Sequence, residues 1–221
     1  MLLPMTFDPG IYDLIRPGMV RSAATVVPEI MRITGPQEVV DVGCGQGVWL
    51  AEFARHGCDV HGYDTHDGAQ LDIPATSYTQ VDLETVFHLE ISADLAVCLE
   101  VGEHLSARRA PWLVDTLCQA DMVLFSAAIP HQGGHGHINE QWPDYWARHF
   151  YANDFAVSGA LRWRWWDDVP DKIEVWYAQN ILLCVRTTLM STLPADLFEP
   201  SSSRPYPVVH PYYWDSRGGS R

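Results

Sequence analysis

Apolar residues recur along this chain in short unbroken runs, separated by stretches in which they return every third or fourth position. The runs lie at 38–42, 59–63, 93–99, 122–127 and 180–186, with a weaker one at 77–81. Runs of this length fit strands buried on both faces, as in a mostly parallel sheet. Between them, 48–56 and 107–118 show helical spacing, and Pro143 is placed as the first-turn residue of another helix. Near the start, Val20, Ala23, Ala24, Val27, Ile30 and Met31 share a helical period, interrupted at Pro28 and ended by Gly35-Pro36. The alternation of runs and helical patterns predicts an α/β fold. The ending differs. Residues 191–221 hold five prolines, the run Ser201-Ser202-Ser203 and the pair Gly218-Gly219, which reads as a wrapping or partly disordered tail. The expected organisation is a helical cap over 1–34, a core over 35–190 and a Pro/Ser-rich tail over 191–221.

The length of 221 residues fits one large domain. Fourteen basic residues, of which only Lys172 is a lysine, stand against 28 acidic ones, for a net charge of −14. Binding to nucleic acid draws its strength from counterion release at basic patches, so a nucleic-acid partner is not expected. No run approaches the ~18 apolar residues of a membrane span. The first ten residues lack the basic start and apolar centre of a secretory leader, so a cytoplasmic protein is expected. The five cysteines form no C-x-x-C pair and read as reduced structural thiols.

Candidate chemistry begins where the run at 38–42 enters Gly43-Cys44-Gly45-Gln46-Gly47 and then a helix. Glycines let the backbone turn sharply and approach a ligand, and a helix start offers free N–H groups. Asp41 sits inside the strand, just before the first glycine, where a site for a dinucleotide is usually apolar. Asp64 closes the next strand, at about the 20-residue distance expected of a carboxylate that binds ribose hydroxyls. A carboxylate beside the loop would repel a pyrophosphate, yet it suits a ligand that carries an ammonium and a sulfonium. S-adenosylmethionine is such a ligand.

The segment D-V-G-C-G-Q-G at 41–47 resembles the first motif of class I S-adenosylmethionine-dependent methyltransferases. Further segments continue the resemblance in order: Asp64 for the ribose, Asp82-Leu83 for the adenine, and E-V-G-E-H-L at 100–105 after the fourth strand. The resemblance implies a Rossmann-like fold with a seven-stranded, mostly parallel sheet and helices on both faces. It also implies that Asp41, Gly43, Gly45, Asp64, Asp82 and Leu83 hold S-adenosylmethionine. Glu100 is then expected nearer the methyl group, with Glu103 and His104 bracing its loop. Tyr12 and Arg16 are suited to closing over the cofactor, and a plain role in helix entry fits them equally.

The stretch after the fifth strand, 129–146, places His131, His135, His137, Glu140, Trp142, Tyr145 and Trp146 in one short span. It resembles a bacterial methyltransferase branch of natural-product and polysaccharide pathways, with the pattern P-x-Q-G-G…H-x-N-E-Q-W-P-x-Y-W. Within that branch, the chain resembles the aminoglycoside N-methyltransferases. Three readings of the histidines stay open. His137 is a general base, since imidazole titrates near pH ~6.5, and Glu140, with Trp142 and Tyr145, orients the acceptor. Alternatively, His131, His135 and His137, with Glu140, hold a divalent metal. In the third reading they only shape the loop. The base reading leads.

His131, His135, Trp142 and Tyr145 are candidates for contact with a small acceptor, because aromatic rings stack on sugar faces and hold cations. Asp144, Asp167 and Asp168, with Glu140, are further acidic candidates for an amino substrate. The expected reaction is methyl transfer to an amine or hydroxyl of a small polar natural product, amino sugar or aminoglycoside first. O-methylation of a neutral sugar or polyketide is the alternative, and cofactor binding without transfer a third. Tyr206, His210, Tyr212, Tyr213 and Trp214 fit either a cover on the acceptor or a homodimer contact.

Overall fold

Seven strands form one sheet in the order β3-β2-β1-β4-β5-β7-β6. They are β1 (Glu38–Val42), β2 (Asp59–Asp64), β3 (Tyr78–Gln80), β4 (Leu95–Leu99), β5 (Met122–Ser126), β6 (Phe155–Ser158) and β7 (Leu182–Arg186). The computed structural model describes residues 9–199 and 204–216. Ser201–Ser203, the Gly218-Gly219 pair and residues 1–8 lie outside the described residues. Strands β1 to β5 pair in parallel, and β7 runs antiparallel between β5 and β6.

The apolar runs are continuous because alternate residues feed two cores. On β4, Leu95, Val97 and Leu99 join one core while Ala96 and Cys98 join the other. On β5, Met122 and Leu124 divide from Val123 and Phe125 in the same way. The first core is covered by α1 (Pro9–Thr34), α2 (Val48–Arg55), α5 (Ala160–Arg164) and α6 (Val175–Asn180). The second is covered by α3 (Ala110–Leu117) and α4 (Pro143–Ala152). The layering is therefore helix–sheet–helix, with a short last helix α7 (Pro211–Ser216) beyond the core.

Several elements differ from the sequence pattern. Helix α1 continues through Pro17 and Pro28 instead of breaking there. Both prolines face outward, while Met19, Ala23, Val26, Val27 and Ile30 bury the opposite stripe. Val20 and Ala24 lie on the exposed side. The late strand begins at Leu182 because α6 occupies the chain as far as Asn180. Strand β6 and helices α5 and α6 had no periodic signal, being only four to six residues long.

The strand order reverses between β1 and β4, which neighbour each other while their connections run to opposite sides. Such a switch point opens a crevice beyond the carboxyl ends of the strands. The glycine loop after β1 and the 100–105 loop after β4 meet there.

Candidate active site

The crevice contains a cavity of about 310 Å³. One end is walled by Tyr12, Asp41, Gly43, Cys44, Gly45 and Trp49, the other by Glu100, Glu103, His104, His135 and His137. Trp176, Tyr177 and Tyr213 also line it.

At the first end the glycine loop is built by close approach. Gly43 has φ +92°, and a Cβ there would come within 2.4 Å of the Val101 side chain. Only glycine lets the loops after β1 and β4 touch. The Gly45 N–H donates to Asp64 Oδ2 at 2.7 Å, and the His66 N–H donates to Asp64 Oδ1 at 2.9 Å. Asp64 thus ties the turn to the end of β2. The Tyr12 ring covers Gly45 and meets His66 edge-on at 5.6 Å. Asp41 is 2 % exposed; burial pushes its carboxyl well above the usual range, and Asp64 adds to the effect. An enclosed acid against a bare backbone loop and aromatic rings fits a ligand that bears positive charge, and so fits S-adenosylmethionine.

Arg16 does not line this cavity. Its guanidinium forms a two-pronged ion pair with Asp72, both contacts 2.7 Å, and donates to Gln46 Oε1 at 3.2 Å. It clamps α1 to the loop before β3. Asp82 and Leu83 also stand outside the cavity wall. Asp82 caps its own turn, accepting from the Glu84 N–H and the Thr85 hydroxyl at 2.9 Å each. Leu83 is buried in the second core, and its carbonyl accepts from Arg109.

At the second end, Glu140 organises the histidine loop. Its Oε2 accepts the His131 N–H at 2.8 Å, and its Oε1 accepts the Gly133 N–H and meets His137 Nδ1 at 3.0 Å. Burial alone would raise this carboxyl, but the three donors outweigh it and hold Glu140 below the usual range. The loop is also pinned to the segment after β4, since Ile138 and Asn139 donate to the Glu103 carbonyl at 2.8 and 3.0 Å.

Glu100 takes an amide donor on each oxygen, Gln132 Nε2 at 2.9 Å and Asn180 Nδ2 at 3.1 Å. Burial raises its carboxyl, and these donors oppose the rise. Glu103 is wholly buried, and neither of its oxygens has a hydrogen-bond partner of good geometry among the described residues. Burial raises its carboxyl well above the usual range, and Glu100 adds to this. Burial lowers the His104 imidazole to about 4, with His137 adding to the effect; the two rings meet edge-on at 4.9 Å.

The metal ligands of the alternative reading, His131, His135 and His137 with Glu140, do not come together as a set. His131 is exposed and off the cavity wall, whereas Glu103, His104 and His137 have their ligand atoms within 4.8 Å of one another. Trp142 lies in a separate shallow hollow with Tyr151, Arg204 and Tyr206. Tyr145 packs against Trp146 and His149 and donates to the Ala107 carbonyl at 3.4 Å. The helical phase of α4 sends Trp146 and Phe150 into the core and leaves Trp142 and Tyr145 away from the cavity. Asp144 and Asp168 are paired with Arg148 and Lys172. The acids of the cavity are Asp41, Glu100 and Glu103 instead.

The roles of Gln132 and Asn180 as donors to Glu100 and the cavity positions of Trp49, Trp176 and Tyr177 were not legible in the sequence, from which Trp176 and Tyr177 read as core or interface aromatics. Gln132 stands in the P-x-Q-G-G segment, but local pattern does not show which side chains meet, since these arrive from three places: α2, the loop after β5 and α6.

The parallel sheet with its single reversed strand, the glycine loop and the enclosed acid define an S-adenosylmethionine-dependent methyltransferase. A family model described as "Methyltransferase domain" matches residues 19–181, and the chain belongs to that family. No curated protein matches the chain. Solved structures with the same fold include magnesium protoporphyrin IX methyltransferase from Synechocystis PCC 6803 with bound S-adenosylmethionine. That match has 20% identity and a TM-score of 0.54, and covers 82% of this chain and 86% of that one. CalS10, an amino pentose methyltransferase from Micromonospora echinaspora involved in calicheamicin biosynthesis, matches at 15% identity and TM-score 0.56. It covers 85% of this chain and 100% of that one. The sugar N-methyltransferase KedS8 from Streptoalloteichus sp ATCC 53650 matches at 16% identity and TM-score 0.57, covering 84% and 98%. Among the described residues, no helix is long and apolar enough to cross a membrane.

Proposed function

We propose that this chain methylates an amine or hydroxyl of a small, sugar-like acceptor, and that its place is in natural-product assembly of the aminoglycoside or amino-sugar kind. The observation that carries the reading is one cavity with the cofactor loop at one end and a carboxylate–imidazole cluster at the other. The two structural neighbours that act on sugars support the acceptor class. S-adenosylmethionine supplies a methyl group already activated by its sulfonium. The chain's own task is to align an acceptor lone pair with that methyl and exclude water.

Asp41, Gly43, Gly45 and Tyr12 are the residues assigned to the cofactor, with Asp64 holding their loop. Glu140 fixes His137 as the Nδ1–H tautomer and leaves an Nε2 lone pair for what the cavity holds. That supports the two readings in which His137 acts on the acceptor; shaping the loop falls to Glu140. Trp176 and His135 offer the acceptor a ring face and a polar edge. In this reading the N-terminal cap covers the cofactor through Tyr12. The tail covers the acceptor end through Tyr213, whose hydroxyl donates to the Gln132 carbonyl.

The test is a mass-spectrometric screen for singly methylated product from amino sugars, aminoglycosides and neutral glycosides, with S-adenosylmethionine. Product from any of these classes, with S-adenosylhomocysteine formed only when acceptor is present, is the expected result. Tight cofactor binding with no product across all three classes would overturn the acceptor assignment.

A further inference from the structure

We infer that Glu103, His104 and His137 bind a first-row divalent metal ion at the acceptor end of the cavity, and that the ion orients a hydroxyl of the acceptor. The acceptor half rests on the methyl-transfer reading above; the metal half does not.

Three observations carry it. The ligand atoms of the three side chains lie within 4.8 Å of one another, so small side-chain rotations bring them to the ~2.0–2.2 Å of metal bonds. Glu103 lies wholly buried on the cavity wall, with no well-formed hydrogen bond to either oxygen among the described residues. The backbone N–H groups of Glu103 and Ala128 offset its burial only in part, and an enclosed carboxylate so short of donors is costly unless a cation or a proton neutralises it. Finally, His137 is held through Nδ1 by Glu140 at 3.0 Å. A carboxylate behind an imidazole is the arrangement that fixes metal-binding histidines, because it sets the tautomer and raises ligand basicity. Glu100 stands beside the cluster, where it meets the Glu103 carboxyl while its oxygens also take the amides of Gln132 and Asn180.

Two imidazoles and one carboxylate suit Mn²⁺, Fe²⁺, Co²⁺ or Zn²⁺ better than Mg²⁺ or Ca²⁺, which prefer oxygen alone. Three protein ligands leave positions open for acceptor oxygens. A hydroxyl held by the ion would be made more acidic and would pass its proton to a water on another open position of the ion; its oxygen would then form the O–CH3 bond as the S–CH3 bond breaks, the electron pair staying on sulfur in S-adenosylhomocysteine. A protonated amine is repelled by the same ion. The geometry therefore favours a hydroxyl, and best one with a neighbouring hydroxyl that completes a chelate.

Chelator-stripped protein is titrated with Co²⁺ and followed by its visible absorption, with metal content measured after gel filtration. The expected result is about one ion per chain. Glu103→Gln, the same size and uncharged, and His104→Asn should each weaken binding about 100-fold. The double change His131→Ala with His135→Ala should leave it unaltered. Electron spin-echo spectroscopy of the Mn²⁺ form of the unaltered protein should show two imidazole nitrogens, which keeps the test decisive if a variant fails to fold. Absence of Co²⁺ binding, binding indifferent to Glu103→Gln in folded protein, or loss only with His131 and His135 would each overturn the metal site. Cofactor binding to the stripped protein is measured alongside, so loss of the metal proposal is distinguished from loss of the methyltransferase reading. Turnover of hydroxyl sugars should fall on chelation and return with Mn²⁺. Methylation of amines alone, undiminished by chelation, would overturn the acceptor half.

Discussion

His137 Nδ1 lies 3.0 Å from Glu140 Oε1, and the same carboxylate receives the backbone N–H groups of His131 and Gly133. An ionised acid with this set of donors requires a proton on Nδ1, which leaves Nε2 as the only lone pair the ring can present. One glutamate thus shapes the loop and sets the chemistry of its histidine.

Replacing that glutamate should separate the two ends of the cavity. Glu140→Gln is expected to lower kcat by roughly 10–100-fold, as for the loss of a partner behind an imidazole. Affinity for S-adenosylmethionine should stay within about twofold, because the residue touches no part of the glycine loop. Isothermal titration beside steady-state rates checks both, and an equal loss in each would place Glu140 in the fold rather than the site.

Asp41 gives a pH dependence with a definite sign. Its carboxyl is raised in the folded chain by burial first and Asp64 second. Its contribution to stability is therefore fully present below the ordinary carboxylate pKa of about 4 and is lost as pH rises through the folded value. Asp41→Asn should flatten that decline in thermal melts measured across the pH range, and should weaken cofactor binding at the same time. A pH profile unchanged by the substitution would show that the acid is not held in this state.

Tyr12 and Arg16 share one helix but should behave differently. Tyr12→Ala removes the ring over Gly45 and is expected to weaken cofactor binding about tenfold, the effect of about 1.4 kcal/mol. Arg16→Ala breaks a partly exposed ion pair with Asp72, worth at most about 1 kcal/mol, and should leave cofactor affinity nearly unchanged. Titration of the two variants compares them directly.

The acceptor contacts can be ranked in the same way. Trp176→Ala should raise the KM for acceptor well above that of Trp142→Ala, since only Trp176 lines the cavity. The reverse order would move the acceptor to the hollow beside Tyr206.

Arg162 is expected to anchor the end of the chain. It is fully buried, and it donates to the carbonyls of Gly159, Arg204 and Tyr206 at 2.8–3.2 Å. Burial brings its guanidinium down to about 10. Arg162→Met should cost about 1.5–3 kcal/mol, the range for lost hydrogen bonds to a charged group, and should expose the tail to protease. Chemical denaturation and limited proteolysis measure the two effects.

The sequence by itself determined the central strands, the glycine loop and the family. A strand buried on both faces must be apolar at nearly every position, and the turn after β1 tolerates no side chain at Gly43. Both demands act on adjacent residues, so a linear pattern records them. The end of the sheet was less legible, because β6, α5 and α6 are only four to six residues long and repeat their pattern no more than twice. Only the tertiary structure decided which polar residues meet. Glu103 and His104 follow β4 and His137 follows β5, and parallel pairing of those strands sets their loops side by side. Trp142 and Tyr145 looked equally suited to the cavity, yet the phase of α4 commits Trp146 and Phe150 to the core and carries the other two away. Side-chain direction at the end of an element follows the packing of its whole length, and that packing joins residues far apart in the chain.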